Sequence, residues 1–277
     1  MDFDPVTSDP IEVDWQYPTA NAAITFGSGG SRVLGVLHLA QGAGPHPTVI
    51  LLHGIPGYER GFDLSQILRR AGWNVLVFHY RGSWGSQGAF SFQNVLDDVR
   101  AALAFLRSEN SRRAYRVDGD RIVLIGHSLG SFAALTTAIA DSQIRAVITL
   151  ALYDLGVVAK LLRGAPADVE AVRRFFGWTM PPLQGTSTQN LMDEILMHAD
   201  AWYLPPQTAA LADRSLLLIA ANRDTIAPAA LHHTALLDAL KANNAQDVTH
   251  VTQDSDHAFA NKRIALARTV LEWLKTR

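Results

Sequence analysis

The sequence predicts an α/β protein built around a mostly parallel sheet. Short, continuous apolar runs rich in valine, isoleucine and leucine recur along the chain, and helix-like segments separate most of them. Strands of a parallel sheet have this appearance because helices cover both faces of the sheet. The composition agrees, because 277 residues with 48% hydrophobic and 18% charged side chains can bury a large core.

Eight segments have strand character. The first two flank the turn Gly27-Ser28-Gly29-Gly30-Ser31 and are predicted to form a hairpin, after a polar, proline-punctuated lead-in that ends near Tyr17. The six later segments are short, and all but the last are mainly apolar, as expected for buried strands. The predicted strands are residues 22–26, 32–39, 48–52, 74–78, 121–125, 144–150, 216–220 and 248–252.

Predicted helices separate these strands at residues 64–71, 94–107, 131–135 and 266–274. The alternation breaks once, because no strand is evident between Tyr153 and Leu211, where residues 157–162 and 169–176 have helical character. In a parallel sheet whose other crossovers are short, such a stretch is an insertion. We therefore predict a core formed by residues 1–152 and 212–277, and a helical insertion formed by residues 153–211.

The motif Gly126-His127-Ser128-Leu129-Gly130 lies between the predicted strand 121–125 and the small-residue stretch that begins at Ser131. A strand that turns sharply into a helix exposes the side chain at the turn, and glycines on either side let the two backbones approach closely. Ser128 is therefore the candidate nucleophile.

A serine needs a base, and the base needs a partner that orients it. His257 follows the last predicted strand, at the strand end where parallel sheets place their chemistry. Asp224 follows the preceding strand and is the candidate acid. Asp154, after strand 144–150, is the main alternative, whereas Asp256 is too close in sequence to His257. The adjacent pair His232-His233 lies on a predicted helix without ligand spacing.

Two backbone amides are expected to stabilise an oxyanion. The Leu129 amide lies at the start of the helix after Ser128, where backbone donors are unpaired. The second amide is expected from His53-Gly54-Ile55-Pro56-Gly57, which follows strand 48–52. Pro56 has no N–H group, so Ile55 is the candidate donor.

Apolar side chains of the insertion suggest a substrate pocket, and Phe176, Trp178 and Trp202 are the candidate lining residues. Phe175, Met180, Met192, Met197 and Tyr203 belong to the same apolar set, some of which must pack the insertion itself.

Composition excludes several other functions. The chain has no cysteine, which excludes disulfides and thiolate chemistry, and it shows neither a phosphate-binding G-x-x-x-x-G-K-[ST] motif nor a metal-spaced cluster. We therefore expect no cofactor and no metal. The net charge of −2, without a basic cluster, argues against nucleic acid or an anionic membrane as a partner. The acidic N-terminus, without an apolar segment, predicts a cytoplasmic protein without membrane insertion.

The chain resembles the α/β-hydrolase superfamily through the motifs at residues 53–57, 80–86 and 126–130, through Asn222-Arg223-Asp224 with Pro228, and through Asp256-His257. The order of nucleophile, acid and base also agrees. Within that superfamily the chain is similar to bacterial carboxylesterases and to serine hydrolases related to acylaminoacyl and dipeptidyl peptidases. The resemblance implies an eight-stranded sheet and a helical cap inserted after the sixth strand.

The expected function is hydrolysis of a small-molecule carboxylic ester through an acyl-enzyme on Ser128, His257 and Asp224. Peptidase or amidase, thioesterase and acyltransferase activities use the same intermediate and stay open. A binding protein that keeps the fold without turnover is the alternative from another functional class.

Overall fold

The computed structural model describes residues 3–277; Met1 and Asp2, with which the predicted core segment begins, lie outside the described residues. Its centre is one sheet in the order β1-β2-β4-β3-β5-β6-β7-β8. Strand β2 is antiparallel to both of its neighbours, and all other pairs are parallel. The strands are β1 (Ala20–Ser28), β2 (Ser31–Leu39), β3 (His46–Leu52), β4 (Asn74–His79), β5 (Val117–His127), β6 (Ala146–Leu150), β7 (Ser215–Ala221) and β8 (Asp247–Gln253). The predicted eight-stranded, mostly parallel sheet is confirmed.

Helices cover both faces of this sheet. They are α1 (Phe62–Arg70), α2 (Phe92–Arg107), α3 (Glu109–Tyr115), α4 (Leu129–Ala140), α5 (Leu155–Leu162), α6 (Pro166–Thr179), α7 (Thr188–Met197), α8 (Ala229–His232), α9 (Thr234–Ala242) and α10 (Arg263–Leu274), with a 3-10 helix at Pro205–Leu211. Helices α3 and α7 were not predicted from the sequence.

Alternate residues of the central strands supply two separate apolar cores. In β3, Ile50 and Leu52 join the core that contains α2 and α4, whereas Val49 and Leu51 join the core that contains α1 and α10. Successive side chains of a strand point to opposite faces, so a strand covered on both sides is apolar throughout. Burial of each such side chain contributes about 1.5–3 kcal/mol, which makes the sheet a rigid support for the loops at its edge.

The segment that connects β6 to β7, which contains the insertion predicted at residues 153–211, carries α5, α6, α7 and the 3-10 helix. Backbone hydrogen bonds join it to the loop after β4. The Gln184 amide donates to the Gly82 carbonyl at 2.8 Å, and the Phe90 amide donates to the Gln184 carbonyl at 2.9 Å. An antiparallel bridge pairs Ser83 with Leu183 beside these bonds. The insertion is therefore anchored to the core beyond its two chain connections.

Within residues 3–277, none of the helices combines the length and the apolarity that crossing a bilayer requires.

Candidate active site

Ser128 occupies a strained turn between β5 and α4. Its backbone has φ 55° and ψ −120°, a conformation that residues with a side chain rarely adopt. The Ser128 amide donates to the Leu150 carbonyl at 2.8 Å, which ties the turn to the end of β6. A Cβ atom on Gly126 would lie 2.1 Å from the carbonyl oxygen of Gly130, so the close approach of strand and helix requires glycine. The structure thus presents Ser128 at the carboxyl edge of the sheet.

His257 and Asp224 come together at the same edge, although 33 residues separate them. The Nδ1 atom of His257 lies 2.6 Å from Asp224 Oδ2. The other carboxylate oxygen, Oδ1, accepts hydrogen bonds of 2.8 Å from the amides of Ile226 and Ala227. Burial raises the pKa of the Asp224 carboxyl, but the His257 bond and these two amides outweigh burial, so that the pKa lies below its usual value. Asp224 is therefore an ionised, fixed acceptor for His257.

The alternative acid, Asp154, lies elsewhere and makes other contacts. Its Oδ1 atom accepts a hydrogen bond of 2.8 Å from the Gly156 amide, at the start of α5. Its Oδ2 atom accepts one of 3.4 Å from the Leu204 amide, at the other end of the insertion. Asp154 thus links the two ends of the helical insertion, whereas His257 pairs with Asp224.

Ser128 and His257 line one cavity of about 270 Å³. Among residues 3–277 no hydrogen bond joins Ser128 Oγ to the His257 ring, and in unliganded hydrolases this bond is often long. The backbone of His257 is held by His127, whose Nε2 donates to the His257 carbonyl at 2.8 Å. Burial, followed by the neighbouring His257, lowers the pKa of His127 to about 3, so His127 is a neutral donor.

The loop that carries Ile55 lies against Ser128. A Cβ atom on Gly54 would lie 2.8 Å from the Ser128 Cβ atom, so glycine permits this contact. The amides of Ile55 and Leu129 donate no hydrogen bond to any of the residues 3–277, although both residues are buried. Both N–H groups are therefore available to an oxygen atom of a ligand bound beside Ser128.

Residues of the motif at 80–86 donate hydrogen bonds to the loop that carries Ile55. The Tyr80 hydroxyl donates to the His53 carbonyl at 3.0 Å, and Trp84 Nε1 donates to the Pro56 carbonyl at 2.5 Å. Arg81 is itself fixed by a buried ion pair, with Nε 2.5 Å from Asp98 Oδ1. The motif at 80–86 therefore has a structural role, because it fixes the loop that lies against Ser128.

The apolar wall of the cavity includes one of the three predicted lining residues. Phe175 and Trp178 of α6 line the cavity, together with Tyr58 and Ile226. Trp178 is 60% exposed, and its ring packs edge-on against Tyr58 with 5.2 Å between centroids. Of the three predicted lining residues, the structure places only Trp178 there.

Phe176 and Trp202 lie in the interior instead. Phe176 is fully buried, and its ring centroid is 5.8 Å from that of Phe92. Trp202 packs on Phe92 and stacks on His198 at 4.4 Å. For Phe176 the reason is helical periodicity. Helix α6 buries Val172, Phe176 and Thr179, so Phe175 and Trp178, which each come one residue before a buried position, face the cavity.

The adjacent histidines His232 and His233, which lack metal-ligand spacing, also belong to the structure around the site. His233 Nε2 accepts a hydrogen bond from the Leu152 amide at 3.2 Å, and His232 Nδ1 accepts one from the Asp154 amide at 3.0 Å. No local sequence signal predicts this role, because both donors lie about 80 residues earlier in the chain.

The family model of the alpha/beta hydrolase family matches residues 49–268. This match covers most of the chain and includes every residue of the site. The chain belongs to the alpha/beta hydrolase family. The sheet order and the strand-to-helix turn at Ser128 agree with this assignment.

Curated relatives match only part of this alpha/beta hydrolase. The quorum-quenching protein AidA of Acinetobacter baumannii is 32% identical over 110 residues, which are 37% of this chain and 34% of that protein. The chain thus matches about a third of the length of this relative.

Solved structures share the fold over most of the chain. An esterase of Pyrococcus furiosus superposes with a TM-score of 0.68 at 17% identity and covers 97% of each chain. The acylaminoacyl peptidase of Pyrococcus horikoshii superposes with a TM-score of 0.72 at 15% identity, over 94% of this chain and 42% of that chain. The resemblance to esterases and peptidase-like hydrolases is therefore one of fold.

Proposed function

We propose that this protein is a serine hydrolase that cleaves small carboxylic esters. The observation that carries the proposal is that Ser128 and His257 line one cavity while Asp224 contacts His257 from outside it. Two unpaired amides lie close by, that of Ile55 on the cavity wall and that of Leu129 next to Ser128 in the chain. Membership of the alpha/beta hydrolase family supports hydrolase activity, and structural similarity to an esterase agrees with it.

In the proposed acylation step, Ser128 Oγ attacks the carbonyl carbon of the ester while His257 Nε2 takes its proton. Asp224 holds Nδ1–H, which directs the lone pair of Nε2 toward the serine and stabilises the imidazolium. The amides of Ile55 and Leu129 donate to the oxyanion of the tetrahedral intermediate. Collapse of this intermediate breaks the ester C–O bond, and His257 returns the proton to the departing alcohol.

Deacylation repeats these steps with water. His257 takes a proton from the attacking water, the same two amides hold the second oxyanion, and the carboxylic acid leaves as Ser128 recovers its proton. Each proton that His257 accepts is given back within the same half-reaction, so the cycle needs no cofactor.

In the proposed enzyme, the helical insertion acts as a cap that sets substrate preference. Its contribution to the cavity is aromatic, through Phe175 and Trp178, and it supplies none of the proposed catalytic groups. Apolar contact on this side favours a substrate with an apolar acyl or alcohol group beside the ester.

The proposal is tested with p-nitrophenyl esters of increasing chain length, a matched thioester and an amino-acyl anilide, on the wild-type protein and on Ser128→Ala. Hydrolysis of esters that falls about 10⁶-fold in the folded Ser128→Ala variant is the expected result. A fluorophosphonate probe should label the wild type and not the variant. Ester hydrolysis in Ser128→Ala within tenfold of wild type would refute the assignment, and faster anilide cleavage would replace esterase with amidase. A folded wild type that neither turns over nor reacts with the probe would be a binding protein.

A further inference from the structure

Four consecutive amides after β6 each donate to a different partner. The segment Ala151–Asp154 is buried, so each of these bonds satisfies a donor that water cannot reach. The four bonds run from Ala151 to the Ile219 carbonyl at 2.9 Å, from Leu152 to His233 Nε2 at 3.2 Å, from Tyr153 to the Ser128 carbonyl at 3.3 Å and from Asp154 to His232 Nδ1 at 3.0 Å. Two of the four acceptors are therefore adjacent histidines, His232 at the end of α8 and His233 directly after it.

The end of β6 and the segment that follows it form hydrogen bonds to the turn at Ser128, which is called the nucleophile turn below. The Ser128 amide donates to the Leu150 carbonyl at 2.8 Å, and the Ser128 carbonyl accepts from the Tyr153 amide. Both backbone groups of Ser128 are thus bonded to residues 150–153. The strained φ of Ser128 persists because these contacts determine its position.

The same segment also contacts, through His232 and His233, the part of the chain that carries Asp224. The Asp224 carboxylate binds the amides of Ile226 and Ala227, and α8 begins directly afterwards, with the His232 amide donating to the Pro228 carbonyl at 3.1 Å. Residues 224–233 are therefore one short, internally bonded unit. Its last two side chains make the connection back to residues 152 and 154.

Both histidines are suited to accept hydrogen bonds. Burial, and then the neighbouring His233, lowers the pKa of His232 to about 4, and burial followed by His250 lowers that of His233 to about 4. Each ring is neutral at pH 7 and leaves one nitrogen free to accept. The His232 ring also stacks on Tyr153, with 5.2 Å between centroids and 21° between planes.

We propose that His232 and His233 are positioning residues that set the placement of the acid Asp224, and through it of His257, relative to Ser128. The inference rests on the proposed function in that these three residues perform the chemistry. The histidines do not touch the substrate. They act by connecting the nucleophile turn to the acid unit through residues 150–154.

The test uses amide side chains that place an acceptor at one ring position only. Asn Oδ1 can occupy the position of histidine Nδ1, and Gln Oε1 the position of Nε2. The matched variants are therefore His232→Asn and His233→Gln, and the mismatched variants are His232→Gln and His233→Asn. All four variants replace the imidazole ring with an amide. The matched and mismatched variants of one histidine therefore differ in the position of the acceptor oxygen. His46→Asn, at the amino end of β3 and therefore at the opposite edge of the sheet from Ser128, is the control for loss of a histidine.

Two readouts are measured on each folded variant. The first is kcat and KM for a p-nitrophenyl ester. The second is the downfield proton NMR signal of His257 Nδ1–H in its bond to Asp224, which reports the geometry without turnover. Misplacement of catalytic groups by about 1 Å costs about 100-fold, so we expect kcat to fall about that much in the mismatched variants. KM should change little, and the NMR signal should shift or broaden. Matched variants and His46→Asn should keep the signal and most of kcat.

Equal behaviour of matched and mismatched variants would overturn the proposal, and so would a change in KM alone. Failure of both mismatched variants to fold, with both matched ones folded, would assign the pair to folding and also overturn it. A wild type without ester hydrolysis would refute the proposed function, but the NMR comparison would still decide the positioning role.

Discussion

Asp224 Oδ2 lies 2.6 Å from His257 Nδ1, and this contact joins the loops that follow β7 and β8. Because the two strands are adjacent and parallel, their carboxyl ends lie at the same edge of the sheet. A histidine that contacts a carboxylate in this way is held in one tautomer and one orientation. The contact leads to the first prediction.

We expect Asp224→Asn to lower kcat for ester hydrolysis about 10⁴-fold with little change in fold, because an amide no longer fixes the His257 tautomer. Steady-state kinetics and circular dichroism measure the two effects. Asp154→Asn is the matched control, since Asp154 contacts amides of the insertion rather than His257. It should reduce stability by about 1–3 kcal/mol and kcat far less than Asp224→Asn does. A reversed order would identify Asp154 as the acid.

A second prediction separates the two faces of α6. Trp178→Ala and Phe175→Ala should reduce the preference for long-chain esters, because each methylene group that loses contact costs about 0.8 kcal/mol, or about fourfold in kcat/KM. Acetate esters should keep near-normal turnover. The measurement is the ratio of kcat/KM across the ester series.

The control for this series is Phe176→Ala, one residue away on the buried face. This variant should lose about 3–5 kcal/mol of unfolding free energy, because it opens a cavity beside Phe92, while its relative preference among esters stays close to wild type. An equal loss for acetate and long-chain esters in Trp178→Ala would show that the insertion supports the catalytic residues rather than the substrate.

A third prediction concerns Glu194 of α7, whose carboxylate binds the first two amides of α2. Oε2 accepts from Phe92 at 2.9 Å and Oε1 from Gln93 at 2.8 Å. A negative charge at a helix N-terminus is favoured by the helix dipole. Glu194→Gln replaces one acceptor with a donor, so the unfolding free energy should fall by about 1–2 kcal/mol. Urea denaturation measures the change.

Glu170→Gln is the control, because Glu170 is an exposed glutamate of the same insertion and pairs only weakly with Arg173 at 3.9 Å. It should leave the urea midpoint unchanged. If both variants lose the same stability, the charge of the insertion matters rather than the contact with α2.

A fourth prediction is loss of stability in mild acid. Burial is the main cause that lowers the pKa of His53 to about 3 and of His232 and His233 to about 4, against about 6.5 in an unfolded chain. Between about pH 6.5 and pH 4 the unfolded chain binds protons that the folded state does not. The unfolding free energy should therefore fall as the pH falls through this range, by up to about 2 kcal/mol per histidine between pH 7 and pH 5.

Asp154 opposes this trend, because burial raises its pKa to about 6 in the folded state. Over about pH 4–6 the folded state then holds one proton that the unfolded chain lacks. Five histidines, the three above together with His79 and His127, outweigh this one carboxyl. Urea denaturation at pH 7 and pH 5 measures the sum. His233→Gln removes one titrating group and should lose less stability between these pH values than wild type. An unfolding free energy that does not change with pH would contradict neutral, buried histidines.

Local sequence patterns determined the sheet and the outline of the site. The apolar runs predicted the central strands because a strand covered on both faces must be apolar along its length, and the glycine-rich turn predicted the hairpin of β1 and β2. The glycine-flanked Ser128 was also recognisable, since a tight strand-to-helix turn requires small residues near it in sequence. Ser128, Asp224 and His257 each follow a predicted strand, so parallel topology was enough to expect them at one edge.

Only the tertiary structure decided what depends on side-chain direction and on distant contacts. Asp154 and Asp224 both follow strands, and their roles differ because one carboxylate meets amides of the insertion and the other meets His257. Phe175 and Phe176 are identical in type and adjacent, and helix rotation alone puts one in the cavity wall and the other in the core. The partners of His232 and His233 lie about 80 residues away. Sequence patterns report periodicity within one element, whereas these contacts arise from the packing of separate elements.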